Sequence, residues 1–172
     1  MKTRLLEMFG TKAYFKWNQT TVGEEGHFEL DNQKLKIILN EYDSIKLKSG
    51  TESGDITEIA FSRNINGQDV IKKTETNDSI KIFSIIFNGI LDKFKSSKFP
   101  KTILFSAKKI GDVATEYDKR FKLYSKLQDR ISRFGYEKFE PIENSTGTHF
   151  ILTNLKLNKS DIENFKQIIC KL

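Results

Sequence analysis

The order of elements between Thr74 and Asn154 constrains this chain more than any other feature. A polar loop, Thr74-Glu75-Thr76-Asn77-Asp78-Ser79, leads into Ile80–Phe94. There Ile80, Ile82, Phe83, Ile85, Ile86, Phe87, Ile90, Leu91 and Phe94 leave only a narrow polar stripe of Lys81, Ser84, Asn88, Asp92 and Lys95. A helix with so wide an apolar face has to be buried against a sheet. Asp78 or Ser79 is its expected N-cap, a short side chain that accepts from a free first-turn N–H. Phe99-Pro100 closes the connection to a strand over Thr102–Ala107, whose Ile103-Leu104-Phe105 centre reads as covered on both faces. A second helix, from about Glu116 to Phe134, buries Tyr117, Phe121, Tyr124, Leu127 and Ile131 and ends at Gly135, a left-handed terminator. A hairpin follows, Phe139–Ile142 against His149–Thr153 across Asn144-Ser145-Thr146-Gly147. Ser160-Asp161-Ile162-Glu163 is a capping box that starts a short last helix, Asp161–Cys170, within residues 159–171.

Before Thr74 the apolar period changes from the helical one to two. His27–Leu30 and Lys34–Asn40 flank Asp31-Asn32-Gln33 as a hairpin, with Leu35, Ile37 and Leu39 on one face. Lys48–Asp55 reads as a mobile loop, and Ile56–Arg63 as the next strand. Asn66-Gly67 is a type I′ turn signal, since both central positions need positive φ, and returns the chain into Asp69–Lys72. At the N-terminus, Leu5, Leu6, Met8 and Phe9 form an apolar patch on a short helix ended by Gly10, ahead of Tyr14, Phe15 and Trp17. These patterns predict one α+β domain over residues 1–172, a mainly antiparallel curved sheet with two central helices and a short C-terminal helix. Its parts are an apolar segment at 1–17, a β-meander at 24–73, a helix-strand-helix-hairpin run at 74–154 and the last helix.

A chain of 172 residues with 37% hydrophobic and 30% charged residues is long enough to bury about two-thirds of its unfolded surface. It has no apolar run of the roughly 18 residues that a membrane helix needs, and its N-terminus lacks a signal peptide's apolar core. Cys170 is the single cysteine, which excludes an internal disulfide and predicts a reducing setting. The net charge of +6 fits either a polyanionic partner or a mildly basic solvated surface, because 23 acidic residues are mixed among 29 basic ones. On the second helix Lys119, Lys122, Lys126, Arg130 and Arg133 recur every three to four residues and face one way for about 20 Å. That stripe suits a phosphate backbone or plain solvent, with Glu116, Asp118 and Asp129 diluting it. The patch Leu5, Leu6, Met8 and Phe9 suits docking to another protein or folding back onto a sheet edge. Glu58 and Glu41 are candidate bases. His27 and His149 have no second ligand at metal-binding spacing, so no zinc site is expected, and Cys170 reads as an inert thiol.

Strand hairpins, helix, strand, helix and strand hairpin, in that order, resemble the GNAT-type N-acyltransferase fold. More closely, the chain resembles a recurring family of uncharacterised tailed-bacteriophage proteins. The resemblance rests on Leu5-Leu6-Glu7-Met8-Phe9, Tyr14-Phe15-Lys16-Trp17, Ile80-Lys81-Ile82-Phe83-Ser84-Ile85-Ile86, Ile103-Leu104-Phe105-Ser106-Ala107, Arg120-Phe121-Lys122-Leu123-Tyr124 and Phe150-Ile151-Leu152-Thr153. It implies a phage protein present in the host cytoplasm during infection or in the virion, with other phage or host proteins as partners and no membrane. The acyltransferase likeness further implies an acetyl-CoA pyrophosphate site at Asn77, Asp78, Ser79 and Ile80, with Tyr124 as the acid toward the departing thiolate. The residues themselves pull the other way. The loop has no glycine, and Glu75 and Asp78 would repel a pyrophosphate held by backbone N–H groups. Tyr124 shares the apolar face with Phe121 and Leu127, and Gly135 stands 135 − 124 = 11 residues beyond it, about two helical turns further than usual. The expectation is therefore a binding protein on a GNAT-like scaffold, with no cofactor. The alternatives are an acetyl-CoA-dependent N-acyltransferase and a basic nucleic-acid-binding module.

Overall fold

Leu35, Ile37 and Leu39 are all but inaccessible to solvent, while Lys34 is exposed and Lys36 and Ile38 are half-buried. The period of two in the sequence is thus the period of a strand with one face on a core. In the computed structural model this strand, β3 (Gln33–Tyr42), pairs antiparallel with β2 (Gly23–Leu30), from Gly23–Asn40 to Leu30–Gln33. β1 (Lys16–Gln19) adds to β2 through pairs from Lys16–His27 to Gln19–Glu24. The structure describes residues 15–30, 33–65, 68–69, 76–108, 114–144 and 147–169. β4 (Ile56–Ile65) is followed by the two-residue β5 (Gln68–Asp69), and the pairs Asn64–Asp69 and Ile65–Gln68 make the return expected around Asn66-Gly67. Asn66, Gly67 and the rest of the expected strand to Lys72 lie outside the described residues.

The remaining elements are α1 (Thr76–Ser96), β6 (Thr102–Lys108), α2 (Ala114–Ser132), β7 (Glu137–Lys138), β8 (Ile142–Asn144), β9 (Gly147–Thr153) and α3 (Lys159–Ile169). The fold is α+β and mainly antiparallel, with β4 and β6 paired in parallel. Two compact units emerge, Met1–Asn40 with Ala60–Phe99 and Glu41–Ile59 with Pro100–Leu172.

In the first unit, α1 approaches the strands to backbone distance. A Cβ on Gly89 would lie 2.5 Å from the Phe15 ring and 3.0 Å from Ile37 Cδ1. Around this contact Ile85, Ile86, Ile90, Leu91 and Phe94 are buried, as the apolar pattern requires. Trp17 lies flat against Gly26, where a Cβ would meet the indole at 2.9 Å. Over the same ring, at 5.2 Å, stands the ammonium of Lys93, which also pairs with Glu24 at 2.6 Å.

The second unit has helices on both faces of its strands. The first half of β4 runs parallel to β6, from Ile56–Thr102 to Ile59–Phe105, and β6 pairs antiparallel with β9 along its whole length. Phe105 is opposite Phe150, so both project from one face, and the Tyr124 ring of α2 packs on them at 5.9 and 6.1 Å. Leu104 and Ile151 project from the other face into a cluster with Ile56, Leu47, Phe139 and the α3 residues Phe165 and Ile169. The Ile103-Leu104-Phe105 run is therefore covered on both sides. Buried Gln128 clips α2 in place, its Nε2 donating to the carbonyls of Phe139 and Ile151, each at 3.2 Å. Gly135, at φ 95°, ends the helical turn as expected.

Three local expectations need correction. α1 begins at Thr76, so Asp78 and Ser79 are helical residues and not caps. The first turn needs no apolar face, and acidic residues are favoured there by the helix dipole, so the apolar pattern marks the start too late. The cap of α3 is Asn158, whose Oδ1 accepts from the Asp161 N–H at 2.8 Å, and Ser160 falls inside the helix. Asn caps as well as Ser, which makes the register of such a motif ambiguous from sequence. Lys48–Asp55 is a loop, as expected, and hydrogen bonds tie it to its surroundings. Ser53, fully buried, accepts from the Ile45 N–H at 2.8 Å, and the Lys48 N–H donates to Asn164 of α3 at 3.0 Å. Finally, the strand expected over Phe139–Ile142 is not there: β7 ends at Lys138 and β8 starts at Ile142, just after Pro141, which has no N–H to donate to β9.

Candidate functional site

The strand registers bring a set of titratable and polar groups to one face of the second unit. Ser106 follows Leu104 by two and stands opposite His149, so both share the face of Leu104 and Ile151. Their side chains meet, Ser106 Oγ and His149 Nδ1 lying 2.9 Å apart, with the imidazole buried. On the neighbouring strand Glu58 stands opposite Leu104 and belongs to the same face. Burial raises the Tyr42 phenol above its ordinary pKa, and the Glu58 carboxylate raises it further. A phenol, a carboxylate, a hydroxyl and an imidazole thus lie on one sheet surface, groups able to hold and pass a proton. Of these, the sequence singles out Glu58 as a candidate base, and His149 only as a histidine with no second ligand at metal-binding spacing. Ser106 and Tyr42 were missed, because only strand register reveals which residues from distant segments share a face.

Tyr124 belongs to the opposite face. Its ring is buried between Phe105 and Phe150, so its body is a core element. The neighbouring aromatic at the end of α2, Tyr136, is also buried, with its hydroxyl donating to the Pro100 carbonyl and its pKa pushed up to about 12 by burial.

Asn77, Asp78, Ser79 and Ile80 form the first turn of α1, and the loop ahead of them, 70–75, lies outside the described residues, as do their side chains. The patch Leu5, Leu6, Met8 and Phe9 and the thiol of Cys170 also lie outside them. Along α2, Lys122, Lys126 and Arg130 are exposed, as is Arg133 in the turn beyond, and Lys119 has its backbone in the helix but its side chain outside those described. His27 is an exposed strand residue, 3.4 Å from Glu25, and Glu41 is exposed. Among the described residues, no group of three His, Cys, Asp or Glu side chains is placed to hold a metal ion. None of the described helices is long and apolar enough to cross a membrane.

Comparison of the chain with protein-family models, with curated proteins and with solved structures finds no match.

Proposed function

We propose that this chain is a phage-encoded binding protein, a virion component or accessory factor, that uses a GNAT-like scaffold without acyl-transfer chemistry. The scaffold reading draws on the parallel pair of β4 with β6, joined through α1, and on the antiparallel pairing of β6 with β9. The observation that carries the absence of acyl transfer is the burial of Tyr124 between Phe105 and Phe150. An acid for a departing thiolate has to reach that sulfur within about 3 Å, and a ring held in a core contact has little room to do so. The first turn of α1 adds Asp78, a negative charge where a pyrophosphate would need donors.

One observation favours the acetyl-CoA-dependent N-acyltransferase as a second reading. Glu58, Tyr42, Ser106 and His149 share a sheet face, and a base for amine deprotonation fits among them.

The test is release of free CoA thiol from acetyl-CoA in the presence of a panel of amines. The binding reading expects no release above the rate without protein. Release that falls at least tenfold in Glu58→Gln or Tyr124→Phe would overturn it in favour of the enzyme.

A further inference from the structure

Helix α2 separates its core from its charge. Tyr124, Leu127, Gln128 and Ile131 are buried, whereas Lys122, Lys126 and Arg130 are exposed. With about 3.6 residues per turn, the three cations fall within an arc of about 80° on the side away from the buried residues. Arg133, exposed in the following turn, extends the row to about 16 Å at 1.5 Å per residue. Asp129 is the one acid among the described side chains of the helix, and Lys138 of β7 engages it at 2.6 Å. Lys138 thus takes up the acid that lies within the row. It ends at Phe134, a large apolar side chain 44% exposed beside Arg133.

We infer that this face binds single-stranded nucleic acid, with the sugar–phosphate backbone along Lys122, Lys126, Arg130 and Arg133 and a base stacked on Phe134. A linear cation row gives sequence-independent, salt-sensitive affinity for phosphates. An exposed ring at its end is of use to an unpaired base, whose face is open, and not to a duplex, whose bases are already stacked. An acidic protein surface would match the charges but has no particular need of the ring. The inference rests on the reading that the chain acts by binding, and supplies its partner.

Fluorescence anisotropy with a labelled oligothymidylate, its duplex form and polyglutamate tests it over a range of salt. The single strand should bind more tightly than the duplex, with affinity falling as salt rises. Lys122→Glu with Lys126→Glu should lower the salt slope by about 1.4, at roughly 0.7 per phosphate contact on a single strand. Phe134→Ala should weaken single-strand binding about tenfold, as loss of one stacked base implies, and leave the salt slope unchanged. Lys34→Glu, a change at an exposed lysine of β3, should do neither. Circular dichroism confirms that each variant is folded. The inference is overturned by absence of oligothymidylate binding at low salt, or by affinity for polyglutamate that matches it and ignores Phe134→Ala. A response to acetyl-CoA would instead overturn the binding reading beneath it.

Discussion

Lys93 Nζ stands 2.6 Å from Glu24 Oε1, with only 14% and 15% of the two side chains exposed. The same oxygen accepts from Gln19 Nε2 at 2.7 Å, and the ammonium also faces the Trp17 ring. A pair this deep is weak evidence of net stabilisation, because desolvation offsets much of the attraction, but breaking it strands a charge. Glu24→Ala or Lys93→Met alone should cost about 3–5 kcal/mol in urea unfolding. The double variant should lose clearly less than the sum of the two. Strict additivity would show that the partners do not interact.

Gly89→Ala sets two effects against each other. Alanine favours the helix by about 1 kcal/mol. Its methyl, however, would meet the Phe15 ring at 2.5 Å in a packed region, where overpacking costs about 1–3 kcal/mol. Packing should win, giving a net loss of stability and a lower urea midpoint. A gain would mean that Phe15 yields and that α1 is not held at backbone distance.

The start of α3 separates two caps. Asn158→Ala removes the acceptor of the Asp161 N–H and should cost about 1 kcal/mol. Ser160→Ala lies within the helix and should fall within about 0.5 kcal/mol of the parent. The reverse order of effects in thermal unfolding would restore the capping box to Ser160.

Tyr136 should leave a mark at high pH. Its pKa in the folded chain is raised from 10.0 to about 12 by burial, so folding favours the neutral phenol. The stability this gives is complete below about pH 10 and is lost as pH climbs through about 12, since the unfolded chain releases the proton first. Ultraviolet titration should show a tyrosine step near pH 12 that coincides with unfolding, beside the smaller upward shift of Tyr42. In Tyr136→Phe that late step should be absent. Its survival in the variant would assign the late step elsewhere.

Much of the fold was legible because burial repeats along the chain. Leu35, Ile37 and Leu39 announced a strand, Ile85 to Phe94 a covered helix, and Ile103-Leu104-Phe105 a strand with two covered faces. Gly135 announced a helix end, since few other residues adopt its φ of 95°. What escaped depends on pairing across long separations. Ser53 in a polar stretch is anchored by Ile45, and Leu47 is buried with α3 residues, which no local pattern indicates. Pro141 breaks a strand that alternation alone would carry through. The candidate site was less legible than the fold. The sequence offers Tyr124 both as acid and as core residue, and its core contacts depend on Phe105 and Phe150, the latter 26 residues away in sequence (150 − 124). Ser106 beside His149 came only from register.

The most direct measurement is the melting temperature with and without saturating acetyl-CoA. A binding protein without acyl-CoA chemistry should melt at the same temperature in both. A cofactor present at 100 times its dissociation constant would add about 2.7 kcal/mol, which for a chain of this length raises the midpoint by roughly 5–10 °C. A rise of that size would contradict the binding reading and make acyl transfer the function to pursue.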